Sequence, residues 1–133
     1  MPATHEIDAA RKLIITSWHG EASDKEFTGT LIRYQHEIRG NSDYQSYNEL
    51  LDFRQISKLS LTTKGIINLV KIARKTDQKE IPSKLAVLVS TSLAFGLARM
   101  YTTYRNLEPG SHKELRIFKN RGDALSWLTT PAS

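Results

Sequence analysis

There is no cysteine anywhere in the chain. That absence excludes disulfides, thiolate chemistry and cysteine-bound metal centres, and it makes a reducing cytoplasm the expected compartment. Long apolar runs are missing as well. The longest, Leu85-Ala86-Val87-Leu88-Val89, is the length of one strand, far below the roughly 20 residues of a membrane-spanning helix. No membrane insertion is expected. Nor does the N-terminus, Met1 to Ala10, look like a secretory signal, since it carries Glu6 and Asp8 and no apolar core.

Catalytic patterns are equally sparse. The four histidines, His5, His19, His36 and His112, stand apart, and no two share the i,i+4 spacing of a helical metal site. No serine lies in a Gly-x-Ser-x-Gly elbow, and no glycine-rich phosphate loop is present. The lone glycine in Phe95-Gly96-Leu97 reads as room for close helix packing. The expectation is a protein that is not an enzyme, with no cofactor and no metal.

What is present suits a folded domain. With 133 residues and 39% hydrophobic content, the chain is expected to form one domain over 1–133. A chain of this length buries roughly two-thirds of its unfolded surface, enough for a core without staples. The net charge is +5. Its basic residues are scattered, from Arg11-Lys12 through Lys71, Arg74 and Lys75 to Lys113, Arg116, Lys119 and Arg121. No aromatic residues interleave with them as a stacking platform would require. A solvated basic surface is expected, and nucleic acid is not an expected partner.

Short apolar segments alternate with helical ones. His5-Glu6-Ile7 and Lys12 to Trp18, joined through Asp8-Ala9-Ala10, read as a β-hairpin ended by His19-Gly20. Ser23-Asp24-Lys25-Glu26 is a capping box. The helix after it carries Phe27, Leu31, Tyr34 and Ile38 on one stripe before Gly40-Asn41 stops it. Tyr47 to Phe53 is the next strand, running into a polar turn that holds Asp52 and Arg54. Hydroxyls from Ser60 to Thr63 cap a second helix, which ends in Arg74-Lys75, cations suited to its negative end. After a loop over 76–83, Leu85 to Val89 reads as the central strand, with no solvent face. Ser90-Thr91-Ser92 caps a third helix running to about Arg105, and a turn over 106–113 leads into the last strand, Glu114 to Phe118. Asn120 with Asp123 opens a final helix whose Ala124, Leu125, Trp127 and Leu128 close the core.

The order is β-β-α-β-α-β-α-β-α, which implies an α/β fold. Strand–helix–strand units force parallel neighbours through right-handed crossovers. The opening hairpin supplies the antiparallel pair, and helices pack against the sheet.

Three strand ends gather polar groups along one sheet edge: Asp52 with Arg54, Ser90 with Thr91 and Ser92, and Phe118 with Lys119 and Asn120. A helix N-terminus offers amides and partial positive charge to an anion. Asp52, Arg54, Ser90, Thr91 and Ser92, with Arg99, are therefore candidate ligand- or partner-binding residues. A plainer reading stays open. The hydroxyls then cap the helix, and Asp52 and Arg54, two apart on one strand, form an ion pair. On the third helix Leu93, Leu97, Met100, Tyr101 and Tyr104 form the main apolar stripe, with Phe95 off it. Apolar residues beyond one stripe mark an interface, so a homodimer through this helix is expected.

Glu49-Leu50-Leu51-Asp52-Phe53-Arg54-Gln55-Ile56 resembles the STAS, or anti-sigma-factor-antagonist, family. In that family a hydrophobic strand ends in Asp-Leu-Ser ahead of a phosphorylatable Ser or Thr that opens the next helix. The likeness is nearer to small bacterial STAS-like single-domain proteins, mostly uncharacterised. Trp18-His19-Gly20, Leu51 to Arg54, the helix Leu93 to Tyr101 and the ending Ala124 to Leu128 carry it. The resemblance implies a STAS-like mixed five-stranded sheet and a regulatory module that binds a protein partner or its own copy. By position it implies Thr62 or Thr63 as phosphoacceptor. Ser60-Leu61-Thr62-Thr63-Lys64-Gly65 nevertheless departs from the family's Asp-Ser-Ser-Gly, and Arg54 stands in place of its serine. STAS-like folds also resemble the lipid-binding CRAL-TRIO architecture. That implies an alternative, a small apolar-ligand or lipid-binding protein, with a pocket between the sheet edge and the helices starting at Thr62 and Ser92. Arg54 or Arg99 would there meet the anionic head of a lipid or small anionic ligand.

Overall fold

Alternation of strand and helix is what the backbone adopts. The computed structural model describes residues 3–75, 82–107 and 113–130, the Arg39 side chain excepted. Most of the expected 76–83 loop and 106–113 turn, with Pro109-Gly110, lies outside the described residues. Five strands form one sheet in chain order: β1 (Ala3–Asp8), β2 (Leu13–Ser23), β3 (Asn48–Ser60), β4 (Ser83–Leu88) and β5 (Lys113–Phe118). The helices are α1 (Asp24–Tyr34), α2 (Thr63–Arg74), α3 (Ser92–Asn106) and α4 (Arg121–Thr129). β1 pairs antiparallel with β2, and β2–β3, β3–β4 and β4–β5 are all parallel. This is the mixed α/β sheet expected from the element order.

Each crossover steps to the next strand in the same direction. Right-handed connections that always advance one way leave their helices on one face, and α1 packs on α2 and α2 on α3. α4 follows the last strand and covers the other face, against β3, β4 and β5. Both faces of the inner strands are thereby covered. That is why Leu13, Ile14, Ile15 and Thr16 are buried in succession. Strand alternation sorts the side chains. Leu13, Ile15, Leu50, Ala86 and Leu88 pack against Ala124 and Leu128 of α4, while Leu51, Phe53 and Val87 face the other helices.

Local chemistry fixes where the helices begin. Glu26 accepts from the Ser23 amide at 3.2 Å and from its hydroxyl at 3.1 Å, the returning half of the capping box. α1 passes into a π turn, Gln35–Arg39, and the chain breaks at Gly40, whose amide donates to the Gln35 carbonyl at 2.7 Å. The Asp24 carboxylate joins the starts of α1 and α2. It accepts from the Thr62 amide at 2.9 Å and the Thr62 hydroxyl at 2.5 Å. A Cβ at position 65 would stand 2.1 Å from Asp24 Oδ1, so any side chain there would have to displace the carboxylate that joins the two helix starts.

Two strands outrun the sequence reading. β2 continues past His19-Gly20 to Ser23, and β3 continues past Phe53 to Ser60. Asp52 and Arg54 therefore lie within a strand, not in a turn. The extensions pair with each other from His19↔Gln55 to Ser23↔Ser60, after β3 has already left β4 at Asp52↔Leu88. A ribbon of two strands leaves one edge of each unpaired, so its sequence is polar and lacks the apolar run of an inner strand. Register shifts flank Gly20, which sits at φ 66° where glycine is unstrained. β3 is the middle strand; β4, expected at the centre, lies between β3 and β5. Among the described residues no helix is long and apolar enough to cross a membrane.

Candidate functional site

Between the sheet and the layer of α1, α2 and α3 lies a cavity of about 150 Å³. Ala73 from α2 and Ala94 and Ala98 from α3 line it with short side chains, together with Leu51 and Val87 of the sheet. At one end stands an aromatic wall. The Trp18 ring lies 4.2 Å from Phe27 and 6.0 Å from Phe53, centroid to centroid, and Phe27 meets Phe53 edge-on at 5.8 Å. Leu59, Leu61 and Leu69 extend that wall.

The other end is polar and lies where the parallel strands begin and the helices end. Glu49 enters from β3, Lys113 from the first residue of β5, Tyr34 from the end of α1 and Arg105 from the last turn of α3. Tyr34 Oη donates to Glu49 Oε1 at 2.7 Å, and Lys113 Nζ donates to Glu49 Oε2 at 2.7 Å. The Lys113 and Glu49 side chains are each only 8% exposed, and Arg105 is 4% exposed. Buried charges persist when they are paired and hydrogen-bonded, and Tyr34, Glu49 and Lys113 form such a chain. His5 of β1 closes one side. Its Nδ1 lies 2.8 Å from Thr16 Oγ1, and its ring lies 4.9 Å from that of Tyr34. Burial pushes the His5 pKa below its ordinary value, with Glu37 opposing and Arg33 assisting.

The residues singled out from sequence fall elsewhere. Asp52 lies on the α4 face of β3, where its carboxylate accepts from Arg54 Nε at 3.1 Å, Arg54 Nη2 at 3.0 Å and the Arg54 amide at 3.0 Å. Burial raises the Asp52 pKa. The Arg54 hydrogen bonds and the Arg54 and Arg121 charges outweigh it and hold the carboxyl below its ordinary range. This is the ion pair that the two-residue spacing implies. Ser90, Thr91 and Ser92 are exposed, and Thr91 caps α3 by accepting from the Ala94 amide at 3.1 Å. Arg99 is exposed on α3 and does not line the cavity. The Thr62 hydroxyl accepts from the Gly65 amide at 3.0 Å while donating to Asp24, and Thr63 is the exposed first residue of α2.

The α3 stripe is divided. Leu97 and Tyr101 line the cavity, Leu93 is 58% exposed, and Met100 and Tyr104 are half-buried. Phe95 packs beside Val87 and Val89, with Lys119 Nζ 5.1 Å above its ring. Sequence reasoning missed Glu49, Arg105 and Lys113. One signal was available: Leu97, Tyr101 and Arg105 follow one another at i,i+4, which places a cation on the inward stripe. Among the described residues no group of three or more His, Asp or Glu could hold a metal ion.

By sequence the chain matches no family model and no curated protein. Among solved structures it is similar to an uncharacterised protein of the DUF3478 family from Shewanella loihica PV-4. The two share 16% identity, with a TM-score of 0.58 over 95% of this chain and 91% of that one. That structure is described as SpoIIAA-like, which is the STAS-like arrangement. At this identity the likeness speaks for architecture alone, and it agrees with the strand order and pairing found here: the chain has a SpoIIAA-like fold.

Proposed function

We propose that the protein is a non-catalytic binding module that admits a small apolar or amphipathic organic molecule beneath α1, α2 and α3. One observation carries this reading. The sheet is filled on its α4 side but leaves about 150 Å³ open on the other. Kept empty and dry, such a volume would cost on the order of 3 kcal/mol of stability. An apolar cavity of comparable volume is known to accept a benzene-sized guest. The test is calorimetric titration of the full chain with phenylethanol, before and after Ala98→Phe places a ring in the space. Saturable binding that the substitution abolishes is expected. Absence of saturable binding, or binding that Ala98→Phe leaves unchanged, contradicts the reading.

A second reading is a regulatory module that docks on a protein partner or its own copy through α3. Leu93, 58% exposed at the start of that helix, favours it. Sedimentation at micromolar concentration tests self-association, and a strict monomer counts against the homodimer.

A further inference from the structure

We propose that His5 is the recognition residue of the cavity and donates its Nε2–H to an acceptor oxygen of the bound molecule, a compact ring compound with a carbonyl or similar oxygen beside the ring. This rests on the cavity being a ligand site and adds the chemistry that the site reads. In the β1–β2 ladder His5 stands opposite Thr16, and Ala3 stands opposite Trp18. Thr16 and Trp18 lie two residues apart on one face of β2, about 7 Å along the strand, and both line the cavity with His5. A ring laid against Trp18 therefore brings a substituent to the imidazole within a volume of about 150 Å³.

The hydrogen on Nε2 follows from Thr16. That residue is 3% exposed, and its hydroxyl oxygen lies 2.8 Å from His5 Nδ1. Among the described residues His5 is the hydrogen-bond partner of that hydroxyl. If Nδ1 carried the proton, the Thr16 O–H would be left buried without an acceptor, and a buried donor without a partner is costly. The hydroxyl therefore donates to Nδ1, and the neutral ring keeps its one hydrogen on Nε2. Burial disfavours the cation, which keeps the ring in that neutral form at neutral pH.

Geometry leaves that hydrogen to an occupant. With Nδ1 held by Thr16, Nε2 lies at the tip of the ring, away from the β1 backbone and toward the helix layer, where the Tyr34 ring stands 4.9 Å away. Among the described residues nothing accepts from Nε2. His5 is half-buried, so water takes the hydrogen while the cavity is empty. A ligand oxygen replaces that water, an exchange worth about fivefold in affinity for a neutral hydrogen bond. A head that only donates, such as an ammonium, meets a hydrogen at Nε2 where it needs a lone pair.

The experiment titrates the full chain calorimetrically at neutral pH with acetophenone and with α-methylstyrene, which keeps the shape and replaces the carbonyl oxygen by a methylene. His5→Asn sets an amide near the Nδ1 position, still able to meet Thr16, and removes Nε2–H. The ratio of acetophenone affinity to α-methylstyrene affinity should fall about fivefold in the variant. An unchanged or larger ratio, or a parent chain that binds α-methylstyrene alone, overturns the role of His5 and leaves the cavity reading standing. If neither compound binds the parent chain, both fall. Where the variant fails to fold, long-range proton–nitrogen NMR of the parent imidazole decides. The Nε2–H tautomer is expected, with an Nε2 resonance that moves on saturation with acetophenone and not with α-methylstyrene. An Nδ1–H tautomer, or one response to both compounds, overturns the assignment.

Discussion

The two faces of one sheet are built for different ends. Against α4, Leu13, Leu50, Ala86, Leu88 and Ala124 have no exposure, and they fill the space between the layers. Beneath α1, α2 and α3 the same sheet borders open volume, with a buried ion pair where β3 and β5 begin. β3 shows the split residue by residue. Leu50 faces the filled side, while Glu49 and Leu51 face the cavity. Neighbouring residues of one strand can thus serve stability and ligand access separately, because a strand sends alternate side chains to opposite layers.

Truncations across the sheet give the largest expected contrast. Leu50→Ala should cost about 4 kcal/mol of unfolding free energy, because its void opens inside a filled core. Leu97→Ala, bordering space that is already open, should cost only about 1 kcal/mol. Urea unfolding measures both, and equal losses would erase the distinction between the faces. On the cavity side a buried ion pair adds to the packed clusters, and its sensitive point is Lys113. Lys113→Met leaves the Glu49 carboxylate buried without its ammonium and should cost about 3 kcal/mol. Combining it with Glu49→Gln should recover part of that loss. A Lys113→Met protein as stable as the parent would show that the pair is not structural.

A smaller effect belongs to the joint between the helices over the cavity. Asp24→Ala removes both hydrogen bonds to Thr62 and should cost about 2 kcal/mol. No such loss on thermal or urea unfolding would mean that α1 and α2 are joined by packing alone. The smallest effect is the pH response of His5. Its folded pKa lies below the ordinary 6.5, chiefly because burial disfavours the cation. The unfolded chain therefore binds the proton first on acidification. The stability contribution is complete above about 6.5 and is lost as pH falls toward the folded value. His5→Asn should flatten that part of the stability curve, and an unchanged slope would assign it to other groups.

Topology was legible because it rests on periodicity and order. The unbroken Leu85 to Val89 run, the capping residues at Ser23, Thr62, Thr91 and Asn120, and the strand–helix alternation each report local physics that tertiary contacts reinforce. The ribbon from His19 to Ser23 and from Phe53 to Ser60 was not legible. Its exposed Gln55, Ser57 and Lys58 look like loop residues, and the pairing partner that makes them a strand lies far away in sequence. The polar end of the cavity was hidden for the same reason. Glu49 reads as a break in an apolar strand and Lys113 as part of a turn until the fold brings them to 2.7 Å. Periodicity places Tyr34 and Tyr101 on apolar stripes, but it does not tell a filled core from a cavity wall.

Methyl-resolved NMR of the full chain titrated with phenylethanol tests the division of the two faces most directly. Saturable shifts are expected at the methyls of Ile66, Leu69 and Leu97, with Leu13, Leu50 and Leu88 across the sheet unmoved. Shifts centred on the α4 side, or no saturable shift at any methyl, would contradict a ligand site beneath the three helices.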